Sequence, residues 1–452
     1  MEKSNRDNIV LLFDYFNLGS RDLLTSFLNA GYQVKAVCIN DEGFLPDNVE
    51  NVFEYFLGNV SEEVKPSKPL YFNQIKVPKY WEISGNNSNG TICDKAKVRG
   101  RIFYTEPKNK RLVKVVDWLD EDGVVKASDH YNKYGICYGR TIFNKFGKKV
   151  SKSYFDSKGK EIIVENFVTG DITLNYQGIT KIFKNRTEFV IYYMKLNGFE
   201  NKAIYFNSLS IPFFVSNALP DNENRKCDIL FWQEEIGKEI PGNMQLILDG
   251  KAPRCKRIMV QNNPSYEKLS KVKGVENIIS KLGFIYPFER KNLGRKEALI
   301  CTNTQEVEKL KEILEALPEV KFHVAALTEM SAKLLAHEKY DNAILYPNIK
   351  MSTLNSLFVR CDFYLDINHE GEIVDATRRA FIQNQLILAF NETSHGGNYT
   401  ALCNRFSSMD YSKLVHRIKE VLTDKEELKK ALEAQQEWAL TAKSDDYDFN
   451  LI

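Results

Sequence analysis

Six glycines, Gly123, Gly135, Gly147, Gly159, Gly170 and Gly178, follow one another at intervals of 12, 12, 12, 11 and 8 residues. Between them lie short stretches rich in aromatic and β-branched residues, such as ICYGRTIFNKF, KVSKSYFDS and EIIVENFV. Turn signals such as SKGK and VTGD mark their boundaries. Turns every eight to twelve residues between such stretches predict an antiparallel β-meander, and this reading covers residues 65–185.

The rhythm on either side is different. NIVLLFDYF, LGSRDLLTSFLNAG and YQVKAVCIND read as strand, helix and strand, with Ser20 or Asp22 placed to cap the helix and Gly31 to end it. Past the meander, EFVIYYMKLNG reads as a helix or a strand entering the core, and AIYFNS, CDILFWQ, MQLILD and RIMVQN as successive strands. The polar KNLGRK at 291–296 reads as a hinge. Beyond it the strands EALICTN, KFHVAAL, NAILYP, CDFYLDI and LILAFN alternate with the helices TQEVEKLKEILEAL, EMSAKLLAHEK, STLNSLFVR, VDATRRAFIQ and DYSKLVHRIKEVL. Such repeats imply a parallel sheet covered by helices on both faces. The expectation is an α/β chain of GT-B-like plan, two Rossmann-like domains facing a cleft. The first comprises 1–64 and 186–290, with a C-terminal helix at 425–452 crossing back to it. The meander 65–185 is inserted in it, and the second domain runs from 295 to 424.

The bulk numbers exclude several classes. Of 452 residues, 43% are hydrophobic and 27% charged, and the formal net charge is +2. This is a globular composition with no global argument for nucleic acid or an anionic membrane. The eight cysteines form no C-x-x-C pair and read as reduced and structural, which suggests a cytoplasmic address. The polar start MEKSNRDN suggests no signal peptide, and no apolar run is long enough to span a bilayer. Peripheral membrane association stays open. The six histidines show no pair at metal spacing, so neither a metal nor a cofactor is expected. SHGGNY at 394–399 has the composition of a phosphate-cradling loop, and equally that of a plain turn.

A working GT-B enzyme must neutralise a departing nucleoside diphosphate with helix N-termini, glycine amides and cationic side chains. Retaining members carry a glutamate followed by Gly-x-Gly at a strand end, and a second glutamate eight residues after the first. Here the corresponding stretch is DINHEGEIVDATRRA. Glu370 and Gly371 fit, but Ile373 stands where the second glycine belongs and Arg378 where the second glutamate belongs. An arginine cannot accept the ribose hydroxyl hydrogen bonds. Ala325 and Ala326 stand where a close backbone approach favours glycine. CTNTQEVEK has no Arg, and no Lys before Lys309, to follow the strand and grip phosphates, and NLGS offers only Gly19 where a glycine pair is expected. Together these departures predict a degenerate donor site.

LLFDYFN…SRDLLTSFLNAGY, INDEGFLPDNVENVFEYF and DILFWQEE…IPGNMQLILDG resemble, end to end, the GtfB family of stabilising subunits of O-GlcNAc transferases. The resemblance implies no catalytic residue of its own. It implies a catalytic GtfA-like partner that uses UDP-GlcNAc, and a serine-rich-repeat adhesin as acceptor. It also implies action in the cytoplasm, at the inner membrane face, before export by an accessory Sec system. Acceptor-binding candidates are Trp232, Gln233, Glu234, Gly242, Asn243, Met244, His369, Glu370 and Gly371, with Trp232 equally readable as a core aromatic. Residues 65–184 hold 23 Lys and Arg against 12 Asp and Glu, a net of +11 balanced by −9 elsewhere. So segregated a charge suits docking onto the GtfA-like partner, edge to edge as an extended sheet, or else only keeps a solvated face from aggregating. The alternatives are an active glycosyltransferase in its own right and a polyanion-binding module, although no RNA-binding aromatic signature is present.

Overall fold

The structure, a computed structural model, describes residues 8–40, 42–58, 68–222 and 225–449. The expected domain boundary at 64/65, the polar residues 1–7 and the final three residues of the expected last helix lie outside the described residues. Contacts divide the chain into two compact units, 1–281 and 282–452.

The first unit is built on seven parallel strands in the order Ile279–Lys281, Cys255–Val260, Asp228–Trp232, Ala203–Phe206, Ile9–Tyr15, Lys35–Asn40 and Val49–Asn51. In Ile9–Tyr15 the residues Ile9 to Phe13 have no solvent exposure, as expected of a strand covered on both faces. The chain runs outward from this strand first to one side and then, after the meander, to the other. The topological switch point therefore lies between Ile9–Tyr15 and Ala203–Phe206, where doubly wound sheets open a crevice at their carboxyl ends.

The meander is a ten-stranded antiparallel sheet whose neighbours follow sequence order from Glu82–Gly85 to Ile179–Phe183. Each of the six periodic glycines sits at positive φ, from 73° to 85°, the region that turns between such strands require and glycine enters without a steric penalty. The later strands share the first unit's core. Tyr154 stacks on Phe53 with ring centroids 4.6 Å apart, and Arg186, opening the helix Arg186–Leu196, holds Glu165 through two nitrogens at 2.9 and 2.7 Å.

The second unit carries six parallel strands in the order Ala343–Tyr346, Lys321–Ala326, Glu297–Thr302, Phe363–Asp366, Leu386–Phe390 and Arg405–Phe406. Its switch point lies between Glu297–Thr302 and Phe363–Asp366. The helix Lys425–Trp438 packs within this unit, its Gln435 Oε1 accepting from Ile387 N at 2.8 Å and its Nε2 donating to Gln385 O at 2.9 Å.

Five elements differ from the sequence expectation, one of them the last helix, expected over 425–452 and ending at Trp438. MQLILD is not a strand but lies in the helix Gly242–Leu248, whose buried Met244, Ile247 and Leu248 fall at helical spacing. TQEVEKLKEILEAL becomes helical only from Leu310, because Lys309 adopts φ 53° and residues 306–308 bond to another loop instead. EMSAKLLAHEK yields only the single α-turn Ala332–Leu335 and a 3₁₀ turn. The segment 291–296 is fastened rather than loose: Asp362 accepts from Leu293 N at 3.0 Å, Arg295 N at 2.8 Å and Arg295 Nε at 3.1 Å.

Candidate functional site

The carboxyl ends of the strands are where ligands bind in sheets of this kind. In the first unit a network of neutral side chains occupies this region. Asn17 caps the helix Leu18–Asn29 by accepting from Ser20 N at 2.9 Å. Asn207, following Ala203–Phe206, donates to Ser20 Oγ at 2.9 Å and to Gln233 Oε1 at 3.1 Å. Gln233, following Asp228–Trp232, donates in turn to Gly19 O at 3.1 Å and Gln261 Oε1 at 3.0 Å. The loops after four neighbouring strands are thus joined through amides. Gly19 permits this, since a Cβ there would lie 2.3 Å from Gln233 Oε1.

In the second unit the closure is ionic and backbone-borne. The loops after the two switch-point strands zip together: Glu308 N donates to Ile367 O at 2.8 Å and His369 N to Glu306 O at 3.0 Å. His369 Nε2 meets Glu308 Oε2 at 2.7 Å, and Lys333 holds Glu306 at 2.7 Å. Behind them Asp366, without solvent exposure, accepts from His395 N at 2.6 Å and from Gly396 N at 3.3 Å, and pairs with His395 Nδ1 at 2.7 Å. The other nitrogen of His395 contacts Glu370 O. The bond to Asp366 raises the His395 pKa to about 9, so the ring is cationic at neutral pH.

The amino end of Ala376–Ile382, where a diphosphate would find free amides, is capped by this chain itself. Glu372 Oε1 accepts from both N and Oγ1 of Thr377. The intervening loop is strained, with Glu370 at φ 64°, Val374 at 51° and Asp375 at 51°. For a β-branched residue such as Val374 that region is an outlier, and the Glu372 and His395 bonds hold it there.

The expected site residues separate into several environments. Trp232 (5% exposed) and Met244 (0%) are core side chains, while Glu234 is exposed and Gln233 is half-buried in the amide network. Gly242 and Asn243 form the first turn of a helix, Asn243 donating to Leu209 O at 2.9 Å. His369, Glu370 and Gly371 lie on the strained side of the second unit, Glu370 and Gly371 exposed. Ala325 and Ala326 end a buried strand, Ile373 is half-buried, and Arg378 borders a cavity of about 340 Å³ with Asn355, Phe358 and Glu289.

Sequence reasoning missed Asn207, Gln261, Glu372, Asp366 and His395. Asn207, Gln261 and Asp366 share a signal, a polar residue at or just past the end of an apolar strand run, whereas Glu372 and His395 lie deeper in their loops and carry none. It also missed the convergence of Glu297, His323 and Cys361, whose ligand-type atoms lie within 4.8 Å of one another. The donors do not suit a cation there. His323 spends Nδ1 on Tyr346 (3.0 Å) and Nε2 on Glu297 (3.1 Å), and Glu297 holds Arg360 at 3.0 Å.

Comparison with known proteins adds the following. Family models described as the GtfB N-terminal, middle and third domains match residues 10–56, 81–184 and 186–272, and the GftB/GlyA-F C-terminal domain matches 298–435. The chain is 41% identical over 413 residues to the UDP-N-acetylglucosamine–peptide N-acetylglucosaminyltransferase stabilizing protein GtfB of Streptococcus agalactiae, covering 91% of this chain and 92% of that protein. The protein of the same description from Streptococcus gordonii is 40% identical, covering 94% of each. A solved GtfA/B complex bound to UDP and GlcNAc contains a chain that superposes with a TM-score of 0.91 at 39% identity, covering 98% of this chain and 99% of that one. TarM of Staphylococcus aureus, at 14% identity and TM-score 0.51, shares the fold alone. Among the described residues no helix is long and apolar enough to cross a membrane.

Proposed function

The chain belongs to the GtfB family of stabilising proteins, and from that premise we propose that it is the non-catalytic, acceptor-holding partner of a GtfA-like transferase. In this reading the GtfA-like subunit transfers GlcNAc from UDP-GlcNAc to Ser or Thr of a serine-rich-repeat adhesin. The present chain steadies that subunit and presents the unfolded acceptor, at the cytoplasmic face of the membrane, before export.

The observation that carries the non-catalytic part is the Glu372 cap. A carboxylate sits on the Thr377 amide in the first turn of the helix, where a diphosphate would bind, and the loop after the neighbouring strand carries Glu306 and Glu308. Both features oppose a polyphosphate by charge and by occupancy. Arg378, Ile373, Ala325 and Ala326 fit the same degenerate donor site. For the acceptor, Gln233, Glu234, Asn243, His369, Glu370 and Gly371 offer polar and backbone groups suited to a disordered Ser-rich chain with few apolar anchors.

The meander is the proposed docking element. Its terminal strand Ile179–Phe183 is paired on one side only among the described residues and exposes Ile179 (60%) and Ile182 (72%). An open, partly apolar edge is a template for another strand. Co-expression of the GtfA-like subunit with the Ile179→Glu/Ile182→Glu variant tests this: loss of the complex on a sizing column is expected, and an undiminished complex would contradict docking through this edge.

A further inference from the structure

A cavity of about 600 Å³ lies within the first unit, between the meander and the ends of Ile9–Tyr15 and Lys35–Asn40. This volume is typical of small-molecule sites. Its described lining contains four cationic side chains, Lys114, Lys149, Lys152 and Arg186, and one carboxylate, Glu42. Glu42 pairs with Lys114, and Glu165, just behind, pairs with Arg186. The Lys149 ammonium lies 5.9 Å from the Phe167 ring centroid and the Lys152 ammonium 4.5 Å from the Tyr154 ring centroid.

The placement of the two lysines is built into the backbone. Residues three apart on a strand face opposite sides, yet Lys149 pairs with Phe143 and Lys152 with Thr141, residues two apart on the neighbouring strand. A bulge between Lys149 and Ser151 brings both lysines to one face, a device that re-aims side chains beside functional sites. Gly139 leaves room for the stem of Lys152, whose Cε would stand 3.2 Å from a Cβ at that position. His130, bonded to Thr141 at 2.8 Å, is held neutral by burial and then by Lys152, Lys149 and Lys114, its pKa pushed down to about 3. The ring therefore adds polar contacts and no charge.

We propose that this cavity binds a phosphate group, free or carried on a sugar, with Lys149 and Lys152 as its principal anchors and the walls of Tyr138 and Tyr154 beside it. Lysine ammoniums act as point-charge partners of phosphate, and the half-buried setting of Lys152 strengthens such a pair relative to water, while Lys149 is exposed at the mouth. The site is separate from the strand-end residues assigned to the acceptor, and it stands whether or not that assignment does.

The test is thermal unfolding of the full chain with inorganic phosphate and with glucose 6-phosphate, each against chloride at equal ionic strength. A ligand that binds only the folded state raises the midpoint, and above its Kd the rise continues with the logarithm of ligand concentration. The expected result is such a rise, lost in Lys149→Gln/Lys152→Gln and kept in Lys126→Gln, whose exposed lysine lies on the same sheet and does not line the cavity. A larger rise with glucose 6-phosphate assigns the site to a sugar phosphate, and equal rises assign it to free phosphate. No rise with either ligand, or a rise that survives the double substitution, would overturn the proposal.

Discussion

The two parallel sheets are alike at one end and unlike at the other. At the amino end each buries an aspartate among arginines. Asp228 takes Arg254 at 3.0 Å, Arg225 at 2.7 Å, Ile204 N at 2.8 Å and Ser216 at 2.7 Å. Asp362 takes Arg290 and Arg295 and the amides of residues 293 and 295. At the carboxyl end the first sheet closes with neutral amides, and the second with Asp366, His395, Glu372 and a zipped pair of loops. The amino ends serve the fold, so one solution recurs. The carboxyl ends are where sheets of this kind bind ligands, and there each unit has its own chemistry.

The strongest test of the likeness is to remove each aspartate. Asp228→Ala should lose about 3–5 kcal/mol in chemical denaturation, since it leaves Arg254 and Arg225 buried without their anion. Asp362→Ala should lose about 1–3 kcal/mol, since Arg290 and Arg295 are partly exposed and water can take up part of the charge. A loss below about 1 kcal/mol in either would break the parallel. Next in size is Gly396→Ala, whose Cβ would lie 2.1 Å from Thr377 Cγ2 and should destabilise the second unit by about 1–3 kcal/mol. Thr377→Ser removes that methyl and keeps the hydroxyl bonded to Glu372, so the double variant should regain part of the loss, the rest remaining where the new Cβ lies 2.8 Å from Thr400 Oγ1.

The unlikeness is sharpened by pH. His395 titrates near 9 in the folded chain, above the ordinary value of about 6.5. Its stabilising contribution is therefore complete below about pH 6.5 and is lost as pH rises through about 9. Denaturation midpoints should fall across that interval, and His395→Gln should flatten the fall. The smallest effect is expected for Gln233→Ala, about 1 kcal/mol for a half-buried amide. That loss should not change between pH 6.5 and 9, because the first sheet's closure carries no titrating group.

Much of this was legible in the chain. The glycine intervals marked the turns of the meander from Gly123 onward but not those joining its first four strands, and the apolar runs marked most parallel strands. Gly242–Leu248 was misread because a six-residue apolar run fits a buried strand and a short helix alike. The late start of the helix at Leu310 was hidden because residues 306–308 bond to a loop some sixty positions away. Departures from a donor-binding pattern were visible at Ile373 and Arg378. The Glu372 cap that fills the helix end was not, since a carboxylate in a polar loop gives no sign of which amides it will meet. Trp232 illustrates the limit on apolar side chains at strand ends, where burial is decided by what packs over them.

The most direct test of the account is calorimetric titration of the full chain, without any partner, with UDP-GlcNAc. No binding up to millimolar nucleotide sugar is expected, because the helix end that would hold the diphosphate is already occupied by Glu372. Micromolar binding would contradict the account and make the chain a donor-binding transferase subunit in its own right.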